Sequence, residues 1–410
     1  MKLTKQDITS AYTKIKKRAE KEFNRGDILF SLKDISLAAH VAYLFNFIFR
    51  DDELEQLISH ISEKVINKQD IEVKGNESSS KYVFIDSFGL PNKGLTQQYL
   101  RAMISMNVPF LYILNGNGNE NNEIFKEVRS FPKGEIFHVD GKNELENIEK
   151  IYSKIENYQP NAVFFHISPG DVVATTVLYA IPDAIKKFNI NLTDHAFWLG
   201  AGNFDYNLEF RDYGATISYQ KRGFQKSQII INPFYPIIPN SLFKGFPKES
   251  ENKIILFSGG NYNKIYGENG KFMFMMKEVL EQNPNAVILL AGMGINKRPL
   301  EKFINKFHLN KRWLLLGERK DIDKVFENCD IYLNTYPISG GLMSQYAAYY
   351  GKPIVSFLPE DNSNKIEKFI FINSNQEVKL TFQELEEYYS QIHKLVNDIQ
   401  YRKEIGNKIK

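Results

Sequence analysis

Cysteine is almost absent: Cys329 stands alone in 410 residues, so no intrachain disulfide can form. A single thiol suits a reducing compartment, and a cytoplasmic location is the expectation. The seven histidines are scattered, and neither HExxH nor CxxC occurs, so no metal site is expected. There is no Walker lysine motif. No Asp-x-Asp closes a strand-like run; Asp321-Ile322-Asp323 stands at a helix start, where acids act as caps. Neither sign of charge dominates, since 52 basic and 49 acidic side chains leave a formal net charge of +3. That balance argues against a nucleic-acid partner, which needs a basic patch or stripe. Long apolar runs are missing as well. The stretch 35–49 is broken by His40 and Asn46 and falls short of the roughly 20 residues that span a bilayer. It reads as a core helix, and no transmembrane segment is expected. The opening residues, MKLTKQDITSAYTKIKKRAEKEF, hold no apolar stretch of the kind that marks a secretory signal.

What is present is the make-up of a globular chain of two or three domains, 43% hydrophobic and 25% charged. Residues 1–75 read as a helical region: Ile8, Tyr12, Ile15, Ala19 and Phe23 recur at helical spacing, as do Leu54, Ile58, Ile61 and Val65. A polar stretch, IEVKGNESSS, then reads as a linker. From residue 81 short apolar runs alternate with helical stretches: YVFI (82–85), VPFLYIL (108–114), AVFFH (162–166), HAFWL (195–199) and ATISY (215–219). A second series follows residue 252, with IILF (254–257), AVILLA (286–291), WLLL (313–316), DIYL (330–333) and PIVSF (353–357). Alternating strands and helices imply parallel sheets covered on both faces. The predicted fold class is therefore α/β, with two Rossmann-like domains at 81–245 and 252–375 and a C-terminal helix over 380–410 that packs back across the hinge. Such sheets bind ligands at the carboxyl ends of their strands, and two of them suit a two-substrate transfer.

The richest local pattern is DIYLNTYPISGGLMSQYAAYYGKPIVSF, residues 330–357. A strand ends at Asn334, a loop carries Pro337, Ser339, Gly340 and Gly341, and a helix begins near Leu342. Backbone N–H groups at a helix start, with no side chain on two glycines, form an anion site; a plain strand-to-helix turn has the same look.

This stretch resembles the donor-site region of the GT-B glycosyltransferases, most closely the branch that holds O-GlcNAc transferase and the bacterial cytoplasmic N-glycosyltransferases. SGGNYNKIYGENGKFMFMMKEVLEQNPNAVILLAG (258–292) is similar to that branch through Tyr262, Asn263, Ile265, Tyr266, Pro284 and Asn285. LLLGERKDIDKVFENCDIYLNT (314–335) is similar to its nucleobase loop and the helix and strand that follow. The resemblance covers about 254–360 well and 160–215 loosely, through HISPGD and DHAFWLGAGNFDY. It does not identify the N-terminal helices, although a helical N-terminal region also occurs in that branch.

The resemblance implies the GT-B arrangement of two facing Rossmann-like domains. It implies a nucleotide-diphosphate sugar co-substrate of the UDP type, with no resident cofactor, bound mainly by the C-terminal domain. Ser339, Gly340 and Gly341 would hold the diphosphate, with Gly259, Gly260 and Asn263 in the facing turn. Gly317 to Arg319 would border the base. The lysine that neutralises the leaving diphosphate falls on Lys264, with Lys271 close behind. Two departures stand out. The ribose carboxylate of the branch is replaced by Gln345, next to Tyr346, and a neutral amide bonds a hydroxyl more weakly. The two glutamates seven residues apart that mark retaining members are missing, which points to inversion. A metal-independent mechanism is expected because a helix N-terminus together with a lysine can neutralise the diphosphate.

Inversion needs a general base. His195 and His166 lie where strands are expected to end, and histidine titrates near neutral pH. A lone histidine is more often structural. Asp205 and Asp212 are weaker candidates. The loop carrying Gly89, Asn92 and Gly94 is expected on the acceptor side, where glycine lets a backbone approach the ligand. The acceptor expected is a protein, a glycan or a lipid-linked molecule, and the N-terminal helices offer a surface for a protein partner. Two further readings stay open: a UDP-sugar epimerase of the same shape, and an adaptor that keeps the fold without the chemistry.

Overall fold

The computed structural model describes residues 4–45, 47–67, 80–91, 95–116, 122–294, 297–359, 365–371 and 378–410. Except for Ser80, the expected linker 71–80 lies outside them, as do Asn92 and Gly94. Contacts divide the chain into two compact units, Met1–Phe234 and Tyr235–Lys410.

The first unit opens with α1 (Lys5–Asn24), α2 (Ile28–Leu44) and α3 (Asp52–Val65). Their starts are written locally. Thr4 and Asp7 form a reciprocal capping box, and Asp27 and Asp51 accept N–H groups of the following turn. Then come β1 (Tyr82–Asp86), α4 (Thr96–Ser105), β2 (Phe110–Leu114), α5 (Glu123–Arg129), β3 (Gly134–His138), α6 (Glu144–Tyr158), β4 (Ala162–His166), α7 (Val172–Ala180), β5 (Lys186–Ile190), β6 (Tyr206–Glu209), α8 (Asp212–Lys221) and β7 (Ile229–Ile231). The sheet is parallel, in the order β3-β2-β1-β4-β5-β6-β7. β2, FLYIL, is buried along its whole length, as a central strand covered on both faces must be. The N-terminal helices share this unit's core: Leu32, Ile35, Ile58 and Ile61 belong to the same buried cluster as Val83, Val163 and Val177.

The second unit holds β8 (Ile254–Gly259), α9 (Gly267–Gln282), β9 (Ala286–Ala291), α10 (Arg298–Lys306), β10 (Trp313–Gly317), α11 (Ile322–Asn328), β11 (Ile331–Leu333), α12 (Gly341–Tyr349), β12 (Ile354–Phe357), α13 (Glu367–Ile370), β13 (Thr381–Phe382), α14 (Leu385–Asn397) and α15 (Ile399–Ile409). Its parallel sheet runs β10-β9-β8-β11-β12-β13.

Several expectations are corrected. Residues 195–199 form no strand, and 215–219 lie inside α8, whose buried Gly214, Ile217 and Ser218 repeat at three and four residues. The strands β5 and β6 do not read as apolar runs, because KKFNI and YNLE carry polar residues into the sheet. Asn189 and Asn207 are register partners, and the Asn189 amide donates to Asn207 at 2.7 Å. Residues 235–245, expected with the first domain, are grouped with the second unit. Backbone N–H groups of Ser241 and Lys244 donate to Asp323 and Asp321, each at 2.9 Å. The C-terminal segment is two helices rather than one, broken where Asp398 caps α15. Its Tyr388, Ile392, Leu395, Ile405 and Ile409 join the core of the second unit.

Candidate functional site

Each sheet has one place where neighbouring strands lead away in opposite directions. Ligands of open α/β sheets gather at the carboxyl side of that place. In the second unit it lies between β8 and β11.

Gly259 ends β8, in register with Ala291, which in turn is in register with Gly317. The backbone there is packed too tightly for side chains. A Cβ on Gly292 would stand 2.1 Å from the Gly260 carbonyl oxygen, and one on Gly259 would stand 3.2 Å from that of Ala291. Gly260 has φ +151°, which also favours glycine. Asn261 then caps a short turn over Tyr262–Ile265, in which Asn263 is exposed. The Lys264 side chain folds back beside Gly260, and its carbonyl faces the Ile338 N–H at 3.5 Å. Among the described residues the Lys264 ammonium has no ion-pair or hydrogen-bond partner, and burial pushes it below the usual lysine value. Lys271 is placed differently. Its ammonium lies 4.8 Å from the Phe357 ring centre and 5.5 Å from that of Tyr336.

Opposite this turn, the loop after β11 is organised by Asn334. Its side-chain oxygen accepts the N–H groups of Gly340 (2.7 Å) and Thr335 (2.9 Å), and Thr335 donates to the Ile338 carbonyl at 2.6 Å. α12 then starts at Gly341 behind half-buried Ser339, and no side chain caps it. Its N-terminus therefore presents the partial positive charge and N–H donors of an anion site. Space at Gly341 is tight, since a Cβ there would lie 3.1 Å from the Phe369 ring and the ring would have to give by a few tenths of an ångström.

The remaining donor-side candidates divide. Gln345 is buried on α12, one turn in from the loop. Gly317 has φ +67° at the end of β10, and its carbonyl accepts the Gly292 N–H at 2.9 Å. Arg319 does not reach outward. It forks onto Asp321 at 2.7 and 2.6 Å, donates to the Gly245 carbonyl at 2.9 Å, and lies over the rings of Phe243 and Phe246. It clamps 243–246 onto the start of α11. Tyr346 is likewise a core residue, stacked on Phe326, with its hydroxyl donating to the Ile237 carbonyl at 2.6 Å.

In the first unit the divergence lies between β1 and β4. Asp86 and His166 end those strands as register partners, with Nδ1 of His166 3.1 Å from the carboxylate. Asp86 also accepts the hydroxyls of Thr96 and Tyr112, both at 2.8 Å, and the N–H groups of Phe88 and Gly89. Burial alone would raise this carboxyl; the His166 ring and the other donors outweigh it and hold the group below its ordinary value. His166 is 1% exposed, under the Phe88 ring. Gly89 has φ +55° and accepts the Asn122 amide at 3.2 Å, which fixes the start of the loop expected on the acceptor side. α7 is capped by its own Asp171, so that helix start already holds an anion.

His195 sits in the loop between β5 and β6, with its side chain 51% exposed. Its Nδ1 is 3.4 Å from Asp194, a buried carboxylate that Arg211 grips with two nitrogens. This pair sets a half-exposed imidazole beside a buried carboxylate. Asp205 and Asp212 are accounted for by the fold: the first accepts the Lys187 N–H at 2.8 Å, and the second begins α8. Asp194, Arg211 and Arg222 were not singled out in the sequence. The signal available was the Asp194-His195 adjacency.

No protein-family model and no curated protein sequence matches this chain. Solved structures do. Anabaena HepE, in complex with UDP and glucose, is similar with a TM-score of 0.59 at 16% identity, over 80% of this chain and 93% of its own. Thermobaculum terrenum O-GlcNAc transferase, as a point mutant, is similar with a TM-score of 0.57 at 12% identity, over 98% of this chain and 76% of its own. An S. aureus TarM mutant, in complex with fondaparinux, alpha-GlcNAc-glycerol and UDP, gives 0.59 at 11% identity, over 80% and 95%. The chain thus has the GT-B fold, two Rossmann-like units built as in these glycosyltransferases. A match over 98% of the chain leaves room for omitting only a few residues, so it takes in the N-terminal helices.

Proposed function

We propose that the chain is a glycosyltransferase that uses a UDP-linked sugar, held by the second unit, and that His195 of the first unit is the general base. The observation that carries this reading is Lys264, a half-buried lysine with no partner among the described residues, beside a glycine turn and an uncapped helix start. Burying an ammonium without a counter-charge is costly, so the arrangement makes sense when an anion arrives. Similar structures solved with UDP support the same ligand class.

In this reading His195 takes the proton of an acceptor hydroxyl, with Asp194 holding the ring. The acceptor oxygen bonds to the anomeric carbon as its bond to the diphosphate breaks, and the configuration inverts. Charge then grows on the leaving diphosphate, where Lys264 and the N–H groups of α12 stabilise it most in the transition state. Those groups allow transfer without a divalent cation. The acceptor belongs to the protein, glycan or lipid-linked class, and the transferred group is a hexose. The lone, buried Cys329 suits a cytoplasmic setting. No helix among the described residues is long and apolar enough to cross a membrane.

The test is calorimetric titration with UDP, followed by transfer and hydrolysis assays across a panel of UDP-sugars with and without EDTA. UDP binding with EDTA-resistant transfer is the expected result. Interconversion of the sugar without transfer would make the protein an epimerase. Failure to bind any nucleotide would leave an adaptor.

A further inference from the structure

The loop carrying His195 has no strand or helix of its own, so side chains must set its shape. Arg222, fully buried at the end of α8, does most of this. One of its nitrogens donates to the carbonyls of Thr193 (3.2 Å), Asp194 (2.9 Å) and Ala196 (2.7 Å). A second nitrogen donates to the Ser218 hydroxyl at 3.0 Å. Its charge faces buried Glu209, which gathers the amides of Asn191 and Asn207 and the hydroxyl of Ser218.

Arg222 is in turn held from the N-terminal helices. Arg50, just before α3, donates to the Arg222 carbonyl at 2.9 Å. The bend after it is made by Gly223, at φ +82°, where a Cβ would stand 2.5 Å from the Arg50 guanidinium. Phe49 lies under the Arg222 guanidinium at 5.5 Å. On α3 the buried Glu55 accepts the N–H of Gly200, at the far end of the same loop, at 2.9 Å. On α2 the Tyr43 ring meets His195 edge-on, with centres 6.1 Å apart.

We propose that the N-terminal helices are a positioning element of the acceptor-side site, fixing the His195 loop through Arg50, Arg222 and Glu55. This rests on His195 being the base. Arg50 and Arg222 are positioning residues, since they reach His195 only through the loop backbone. The helical region thus has a task inside the first unit, whatever else it binds.

The experiment uses the full chain and the variants Arg50→Met, Arg50→Lys, Arg222→Lys and His195→Ala. Arg222→Lys keeps the charge opposite Glu209 while losing the fork over three carbonyls. Arg50 is partly exposed, so its loss is tolerated by the fold. Hydrogen exchange of peptides covering 193–200 is measured beside steady-state kinetics. In Arg50→Met and Arg222→Lys, exchange of that loop should rise and kcat should fall about 10–100-fold, the cost of a slightly misplaced catalytic group. The donor KM and UDP affinity should stay within about twofold, because the second unit is untouched. Arg50→Lys should recover part of the loss. Wild-type loop exchange and wild-type kcat in both Arg50→Met and Arg222→Lys would overturn the proposal. If instead loop exchange rises while His195→Ala leaves kcat unchanged, the assignment of the base has failed, and with it the catalytic meaning of the contacts.

Discussion

The side-chain oxygen of Asn334 accepts the backbone N–H of Gly340 at 2.7 Å, closing the loop between β11 and α12 over its own strand end. The same oxygen takes the Thr335 N–H and the Tyr332 hydroxyl, and the Asn334 amide reaches the Ser344 hydroxyl at 3.3 Å. One buried amide therefore shapes the turn that presents the start of α12. Asn334→Ala strips several buried groups of their partner. The expected loss is about 1–3 kcal/mol of stability and about tenfold or more in UDP affinity. Denaturant unfolding and calorimetry on the same sample read both.

Lys264→Met should separate function from stability. Its ammonium has no partner among the described residues, so the unliganded protein loses nothing by its removal and should melt at the same temperature or higher. UDP affinity should drop about 10–100-fold, as for a lost hydrogen bond between charged groups. Lys271→Met should behave in the opposite way, costing stability through its contacts with Tyr336 and Phe357 while affecting UDP less. If the two variants exchange these behaviours, the diphosphate lysine is Lys271.

The two histidines should also part company. His195→Ala should lower turnover about 10²–10⁴-fold with little change in stability or donor affinity, because the ring is half exposed. His166→Ala should destabilise the protein by about 3 kcal/mol, because it leaves buried Asp86 without a main partner. Thermal unfolding beside single-turnover assays decides the matter. A stable His166→Ala protein without activity would move the base to His166.

Burial pushes the Glu55 carboxyl up to about 7, with Tyr179, Gly200 and Arg50 pulling the other way. Its ordinary value is 4.5, so between these two pH values the folded state holds more protons than the unfolded state. This group's contribution to stability is therefore greatest below the lower value. It declines as pH rises through the window, by roughly 3 kcal/mol in all. Glu55→Gln should flatten that part of the stability profile. Unfolding midpoints taken at intervals from pH 4 to 8 test it, and parallel profiles for both proteins would refute it.

The sequence determined a good part of this. All five strands expected in 254–357 are present, because each is a short apolar run bounded by glycine, proline or polar turns. The turn at Gly259-Gly260 was legible for a related reason: backbone crowding at Gly259 and a φ of +151° at Gly260 favour glycine, and that demand is written at single positions. Gly340-Gly341 was legible as a glycine pair between a strand and a helical stretch. Capping residues such as Thr4, Asp51 and Asp171 speak locally too.

Only the tertiary structure decided the rest. β5 and β6 became strands because Asn189 meets Asn207 in register and Glu209 meets Ser218 and Arg222; each is unreadable until its partner is placed. The two histidines look alike in sequence, and burial separated them: β1 and the Phe88 ring enclose His166, while the loop held by Arg222 leaves His195 at the surface. Lys264 and Arg319 were both assigned to the ligand, yet Asp321 occupies Arg319 and no described residue occupies Lys264. Pattern along the chain fixes which way a residue must fold. Whether its charge is already satisfied depends on neighbours tens to hundreds of residues away, and only packing brings them together.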